Sequence, residues 1–277
     1  MEHFTRWFNL IDKAHIDTVK QRFLRISDAI EKSYYSDRMK GEHSHFVGSY
    51  GRNTAINTSD IDIMVVLPNH VKKQFDGHNG NGESHLLQAI KGAILKTYPN
   101  TKIRADGQVV VVDFTDGMKF EVLPGFDQSQ GDYCYPDTHD GGSWKLTSPF
   151  FEQSAMQKKN SLSNGLLYDT CRYIRYIRDE CFEDMKLSGI VIDSFVYSAI
   201  DQYLWPPIYS QVSSDPYRYI ENYSYIKHLD NAYEHLNRFN GKVLYAPGSR
   251  DVIPINDSFD NLGKVINRWL DSSKNNY

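Results

Sequence analysis

A chain of 277 residues, 40% hydrophobic and 24% charged, with no biased tract, has the material for one large domain or two lobes, and disorder is excluded. A formal net charge of −4 argues against a protein that lives on duplex nucleic acid, while leaving room for a local basic pocket around a polyphosphate. Three cysteines (Cys134, Cys171, Cys181) with no CxxC pair exclude a disulfide framework and a thiolate zinc site.

Residues 1–10 have no leader pattern, and no apolar run approaches the roughly 18–20 residues that span a bilayer, so a cytoplasmic protein without membrane contact is expected. Residues 14–40 predict a long amphipathic helix, with Ile16, Val19, Phe23, Ile26 and Ile30 at helical spacing. His45-Phe46-Val47 reads as a short strand entering a turn at Gly48. Residues 61–67 read as an apolar strand closed by Pro68, 77–83 as a loop, and 86–95 as a helix. Residues 109–114 and 118–123 flank Thr115-Asp116-Gly117, a hairpin signal.

Beyond Tyr135 the pattern is helical over 161–184, 189–204, 218–239 and 257–272. The expected class is α+β: a small mixed sheet with flanking helices in residues 1–135, then a helical lobe in 136–277, with a cleft between them. The boundary falls in 127–160, through the Gly/Asp/Ser/Pro-rich stretch 136–149. No internal repeat is visible.

Two features carry chemistry. In an extended strand, Asp60 and Asp62 project to one face and Ile61, Ile63, Val65 and Leu67 to the other. Paired carboxylates repel, and a shared divalent cation relieves this; few hard oxygen donors suit Mg²⁺. An isolated D-x-D is more often a turn cap beside an exposed acid, so the upstream turn decides. Gly48 lets backbone amides approach an anion, and Ser49 adds a hydroxyl where a short helix begins. Residues 52–56 are expected to form a short helical turn leading back to the sheet edge.

The run 47–56, Val-Gly-Ser-Tyr-Gly-Arg-Asn-Thr-Ala-Ile, followed by Ser59-Asp60-Ile61-Asp62-Ile63, resembles the DNA polymerase β-type nucleotidyltransferase signature. More narrowly it resembles the cGAS/DncV-like nucleotidyltransferases (CD-NTases), bacterial relatives of oligoadenylate synthases that make cyclic di- or trinucleotide signals from NTPs in anti-phage (CBASS) systems. The resemblance implies a bilobal nucleotidyltransferase fold and a nucleotide bound at Gly48, Ser49 and Tyr50. It also implies two Mg²⁺ ions, with Mn²⁺ as a substitute.

Two-metal phosphoryl chemistry calls for a third carboxylate. With Asp116-Gly117 as a two-residue turn, Asp113 pairs with Phe120 and Val112 with Glu121, which puts Asp113 and Glu121 on opposite faces. Glu121, in Phe120-Glu121-Val122-Leu123-Pro124, matches the family's acid before a hydrophobic pair and proline, where the family usually has Asp. The chosen catalytic and metal set is therefore Asp60, Asp62 and Glu121. The implied reaction is in-line attack of a ribose hydroxyl on an α-phosphate, with pyrophosphate leaving and a second round closing the ring.

In the helical lobe, Leu167, Cys171, Ile174 and Cys181 form one stripe, and Arg172 and Arg175 lie together on another face, which alone reads as a solvated basic surface. The run 172–178, Arg-Tyr-Ile-Arg-Tyr-Ile-Arg, resembles the family segment that brings a lysine to the triphosphate; Arg175 matches best, with Arg172 as the alternate. Ile192-Asp193-Ser194-Phe195 resembles the family's serine–aromatic segment, giving Ser194 a terminal-phosphate role against its plainer reading as a helix cap. Trp144 to Pro149 resembles the connection between lobes. Histidines such as His43, His45, His78 and His139 show no zinc spacing.

The expected partners are NTPs, with room for a regulatory protein, and a downstream effector that binds the product rather than the enzyme. The alternatives are a transferase acting on an RNA, protein or small-molecule acceptor, and an inactive nucleotide-binding scaffold. The negative charge weighs against RNA, and the filled acidic positions weigh against the scaffold.

Overall fold

The structure, a computed structural model, describes residues 11–36, 41–76, 80–129, 131–206, 222–238, 243–253 and 257–274. The N-terminal decapeptide, His78 and the outer ends of the helices expected over 14–40 and 218–239 lie outside these residues. Two units divide the chain: a strand-rich unit of residues 11–51 and 59–150, and a helical unit that includes 52–58 and 151–277.

In the strand-rich unit, α1 (Lys13–Tyr34) starts where Asp12 accepts a hydrogen bond from the His15 amide. It ends at Tyr34, before the expected end, because Tyr35 is extended. The Tyr35 hydroxyl donates to the Val66 carbonyl, and its ring stacks on His43 at 3.7 Å. Buried Glu31 accepts from the Gly41 and His43 amides and the Ser44 hydroxyl, turning the chain into β1 (Ser44–Phe46). A single helical turn, α2 (Gly48–Gly51), precedes β2 (Ile61–Val66). Then follow α3 (Asn69–Asp76), α4 (Gly82–Thr97), β3 (Lys102–Asp106), β4 (Val109–Asp113) and β5 (Lys119–Ser129). Residues 82–83 of the expected loop thus open α4.

The sheet runs β1-β2-β5-β4-β3, with β2 and β5 parallel and the other pairs antiparallel. The distal part of β5 leaves this order at Phe126 to pair with β6 (Asp132–Asp137), which pairs with β7 (Ser143–Thr147). This hairpin carries the strand-rich unit to residue 150, inside the stretch 127–160 where the boundary is expected. The alternating face of β2 packs as its sequence dictates: Ile61, Ile63, Val65 and Leu67 are all buried, in one core with Ile26 and Ile30 of α1 and Leu86, Leu87, Ile90 and Ile94 of α4.

The helical unit contains α5 (Pro149–Leu162), α6 (Leu166–Cys181), α7 (Gly189–Ala199), α8 (Asn222–Arg238), the two-stranded β8 (Leu244–Tyr245) and β9 (Val252–Ile253), and α9 (Asp257–Lys274). Its core joins Leu167, Cys171 and Ile174 to Phe195, Tyr225, Phe259 and Trp269. The α+β class with a mixed sheet and flanking helices is as the sequence predicts. The strands β3, β6, β7, β8 and β9 and the helices α3 and α5 are not among the elements the sequence predicts.

Candidate active site

The parallel register of β2 and β5 assembles the acids. Asp62 lies directly beside Glu121, and Ile61 beside Phe120. One residue earlier, Asp60 meets Lys119, whose ammonium lies 2.8 Å from Asp60 Oδ2 and 2.8 Å from Glu121 Oε1. The sequences Asp-Ile-Asp and Lys-Phe-Glu therefore present four charged side chains on one face of two neighbouring strands. Burial pulls the Lys119 pKa down, but the hydrogen bonds and charges of Asp60 and Glu121 outweigh it and hold the amine well above the ordinary lysine range.

The turn at Gly48 touches this cluster. Gly48 has φ +56°, and a Cβ there would lie 1.9 Å from Asp62 Oδ2, so only glycine allows the turn to lie against the carboxylate. The Val47 amide donates to the Asp62 carbonyl at 2.9 Å and locks turn to strand. Ser49 sits in the same helical turn, half-buried. Tyr50 faces α1: its hydroxyl is 2.9 Å from His15 Nε2, its ring stacks on Phe46, and burial pushes its pKa up to about 12. Its side chain is part of the unit's packing.

The hairpin differs from expectation in register. The Phe114 amide donates to the Met118 carbonyl around a three-residue loop whose Gly117 has φ +86°. Asp113 consequently pairs with Lys119, and Val111 with Glu121. Asp113 and Glu121 therefore share a face, and the face argument against Asp113 fails. What separates them is the strand. Glu121 is on β5 beside Asp62, whereas Asp113 is one strand further out, held by Arg104 and 3.8 Å from Lys102.

Among the described residues no group of three His, Cys, Asp or Glu side chains is gathered closely enough to hold a metal ion. The donor set nevertheless fits a divalent cation. Asp60 and Glu121 already turn oxygens onto one positive charge, that of Lys119, and Asp62 adjoins Glu121 in register. Lys119 escaped the sequence reading, because its place depends on the β2–β5 pairing, which no local pattern shows.

The residues expected in the helical lobe lie in the helical unit. Arg175 is 1% exposed, and its guanidinium makes a two-pronged contact with Asp193 at 2.8 and 2.9 Å while donating to the Cys171 and Gly189 carbonyls. It is an interior pin, with its two terminal nitrogens donating to protein acceptors. Ser194 is also buried, its hydroxyl without a hydrogen-bond partner among the described residues.

Asp193 further accepts from Arg52 Nε at 2.8 Å and from the Thr54 hydroxyl at 2.9 Å, and Arg52 reaches Glu152 at 2.8 Å. Burial raises the Asp193 carboxyl pKa, but Arg175 and Arg52 outweigh it and hold the value at about 2. Arg172 bonds the backbone and side chain of Asn53. Residues 52–56 do not form the expected helical turn leading to the sheet edge: 52–53 are a turn and 54–56 have no regular structure. Arg52 is fixed to Asp193 of α7 by a buried ion pair, and Asn53 to Arg172 of α6 by hydrogen bonds.

The description Second Messenger Oligonucleotide or Dinucleotide Synthetase domain (SMODS) matches residues 2–160. No curated protein sequence gives a significant match. Among solved structures, a STING-associated CdnE c-di-GMP synthase from Capnocytophaga granulosa aligns at TM-score 0.66 and 13% identity over 97% of this chain and 85% of its own. A Rhodothermus marinus CdnE c-UMP-AMP synthase solved with Apcpp and Upnpp aligns at 0.64 and 15%, covering 98% and 95%. An Elizabethkingia meningoseptica CdnE cyclic dinucleotide synthase solved with GTP and Apcpp aligns at 0.62 and 16%, covering 96% and 95%. At these identities the likeness is one of fold.

Proposed function

The chain belongs to the SMODS family of cGAS/DncV-like nucleotidyltransferases, and we propose that it is an active Mg²⁺-dependent synthase of a cyclic di- or trinucleotide from NTPs, serving bacterial anti-phage signalling. The observation that carries the reading is the register of β2 and β5, which places Glu121 beside Asp62 while Gly48 holds the phosphate turn against the same carboxylate.

In this reading Asp60, Asp62 and Glu121 hold the metal ions. When bound, these supply positive charge for in-line attack of a ribose hydroxyl on an α-phosphate. The turn at Gly48 and Ser49 receives phosphate oxygens on backbone amides and a hydroxyl, fixing the triphosphate relative to the acids. Glu121 in place of the more usual aspartate reaches one methylene further from its strand. Within this family pyrophosphate is the leaving group, and a second transfer closes the ring.

The test is incubation of the full chain with four labelled NTPs and Mg²⁺, followed by phosphatase. A phosphatase-resistant product is expected. The double variant Asp60→Ala with Asp62→Ala should remain folded and make none. Wild-type turnover by that variant would end the proposal, and label appearing only on added RNA, protein or small molecule would redirect it to acceptor modification.

A further inference from the structure

We propose that Lys119 is an internal counter-cation that competes with divalent metal for Asp60 and Glu121, so that metal binds only as the lysine ammonium moves off. The inference rests on the reading of these acids as metal ligands.

Three carboxylates on adjacent strands repel one another. Lys119 relieves part of that repulsion from within the sheet itself, bridging Asp60 and Glu121 at 2.8 Å each. Those are oxygens that a hard divalent ion needs. The ammonium occupies one oxygen of each of these two acids and repels a divalent cation there, so metal and lysine compete for them. The lysine is fixed by its backbone at the start of β5, opposite Asp113, so its displacement is a motion of the side chain alone.

Its exposure makes that motion feasible: the side chains of Lys119, Asp60 and Glu121 are 29%, 50% and 29% exposed. Ion pairs this open to water are weak and reversible. A flexible four-carbon stem ending in a point charge suits a group that must let go, whereas a forked guanidinium would hold both acids more firmly.

Two such pairs together are worth about three- to tenfold in an equilibrium constant. The probe is Mn²⁺, titrated without nucleotide into the full chain and followed by electron paramagnetic resonance of the free ion. Lys119→Met should bind Mn²⁺ about three- to tenfold more tightly than the wild type. The further change Glu121→Gln in the Lys119→Met protein should remove that gain. Lys119→Gln provides a second variant, and circular dichroism confirms that each protein is folded.

Affinity within about twofold of wild type, or weaker, in folded Lys119→Met and Lys119→Gln would overturn the proposal. So would a gain that survives Glu121→Gln, because the metal would then sit elsewhere. The titration involves no turnover. Failure of the wild type to make product would thus count against the proposed activity and leave the metal comparison to be decided independently.

Discussion

Gly48→Ala separates backbone strain from the geometry of the acids. At φ +56° an alanine costs about 1–2 kcal/mol in the left-handed region. Its Cβ would also stand 1.9 Å from Asp62 Oδ2, and reaching even 3.0 Å requires the carboxylate to retreat by about 1.1 Å. Misplacement of a reacting group by about 1 Å costs on the order of 100-fold in rate. Gly117→Ala is the control. It has a comparable backbone strain at φ +86° in the β4–β5 loop, but an added Cβ there meets nothing within 4 Å. Both variants should lose a few degrees of melting temperature. In single-turnover product formation, Gly48→Ala should fall about 100-fold while Gly117→Ala stays within about threefold of wild type. Equal turnover by the two variants would refute the argument that glycine is required to seat the phosphate turn against Asp62.

The two candidate third acids give a second contrast. Glu121→Gln should lower product formation by about 100-fold or more, whereas Asp113→Asn, one strand away and held by Arg104, should change it by less than about threefold; the same assay decides. Asp193→Asn leaves Arg175 and Arg52 without their carboxylate and should destabilise the protein by about 3–5 kcal/mol in denaturant melts. The Asp193 carboxyl lies at about 2 in the fold, against 3.8 ordinarily. Its depressed value stabilises the fold above pH 3.8, and this contribution is lost as pH falls toward 2. An acid melt should therefore be shallower over that window in Asp193→Asn than in wild type. Identical acid limbs would show that Asp193 does not contribute.

Asp60, Asp62 and the turn at Gly48 were legible because strand alternation and glycine's tolerance of positive φ are local rules, and the buried face of β2 follows from the same period of two. The hairpin register was not. Asp-Gly in sequence suits a two-residue loop, whereas the chain uses a three-residue one, and a shift of one residue exchanges the faces of every side chain on the partner strand. Glu121 was nevertheless the acid beside Asp62, for a reason the hairpin does not contain. It is the parallel pairing with β2, remote in sequence, that places it there.

The arginines of α6 show a different limit. Arg172 and Arg175 share a face by charge and by their i, i+3 spacing, yet Arg175 is also four residues beyond Cys171 and eight beyond Leu167, at the edge of the stripe that faces the core. A rule that sends charge to solvent overrides that period unless an interior partner is known. The partner, Asp193, lies on the next helix, in a position that by itself reads as a cap. Once Arg175 enters with Asp193, the carboxylate has capacity left over, and Arg52 and Thr54 take it up. The arginine four residues beyond the phosphate-turn glycine is thus secured by an ion pair that begins on α6. This gives the basic run a structural purpose that its charge alone did not suggest.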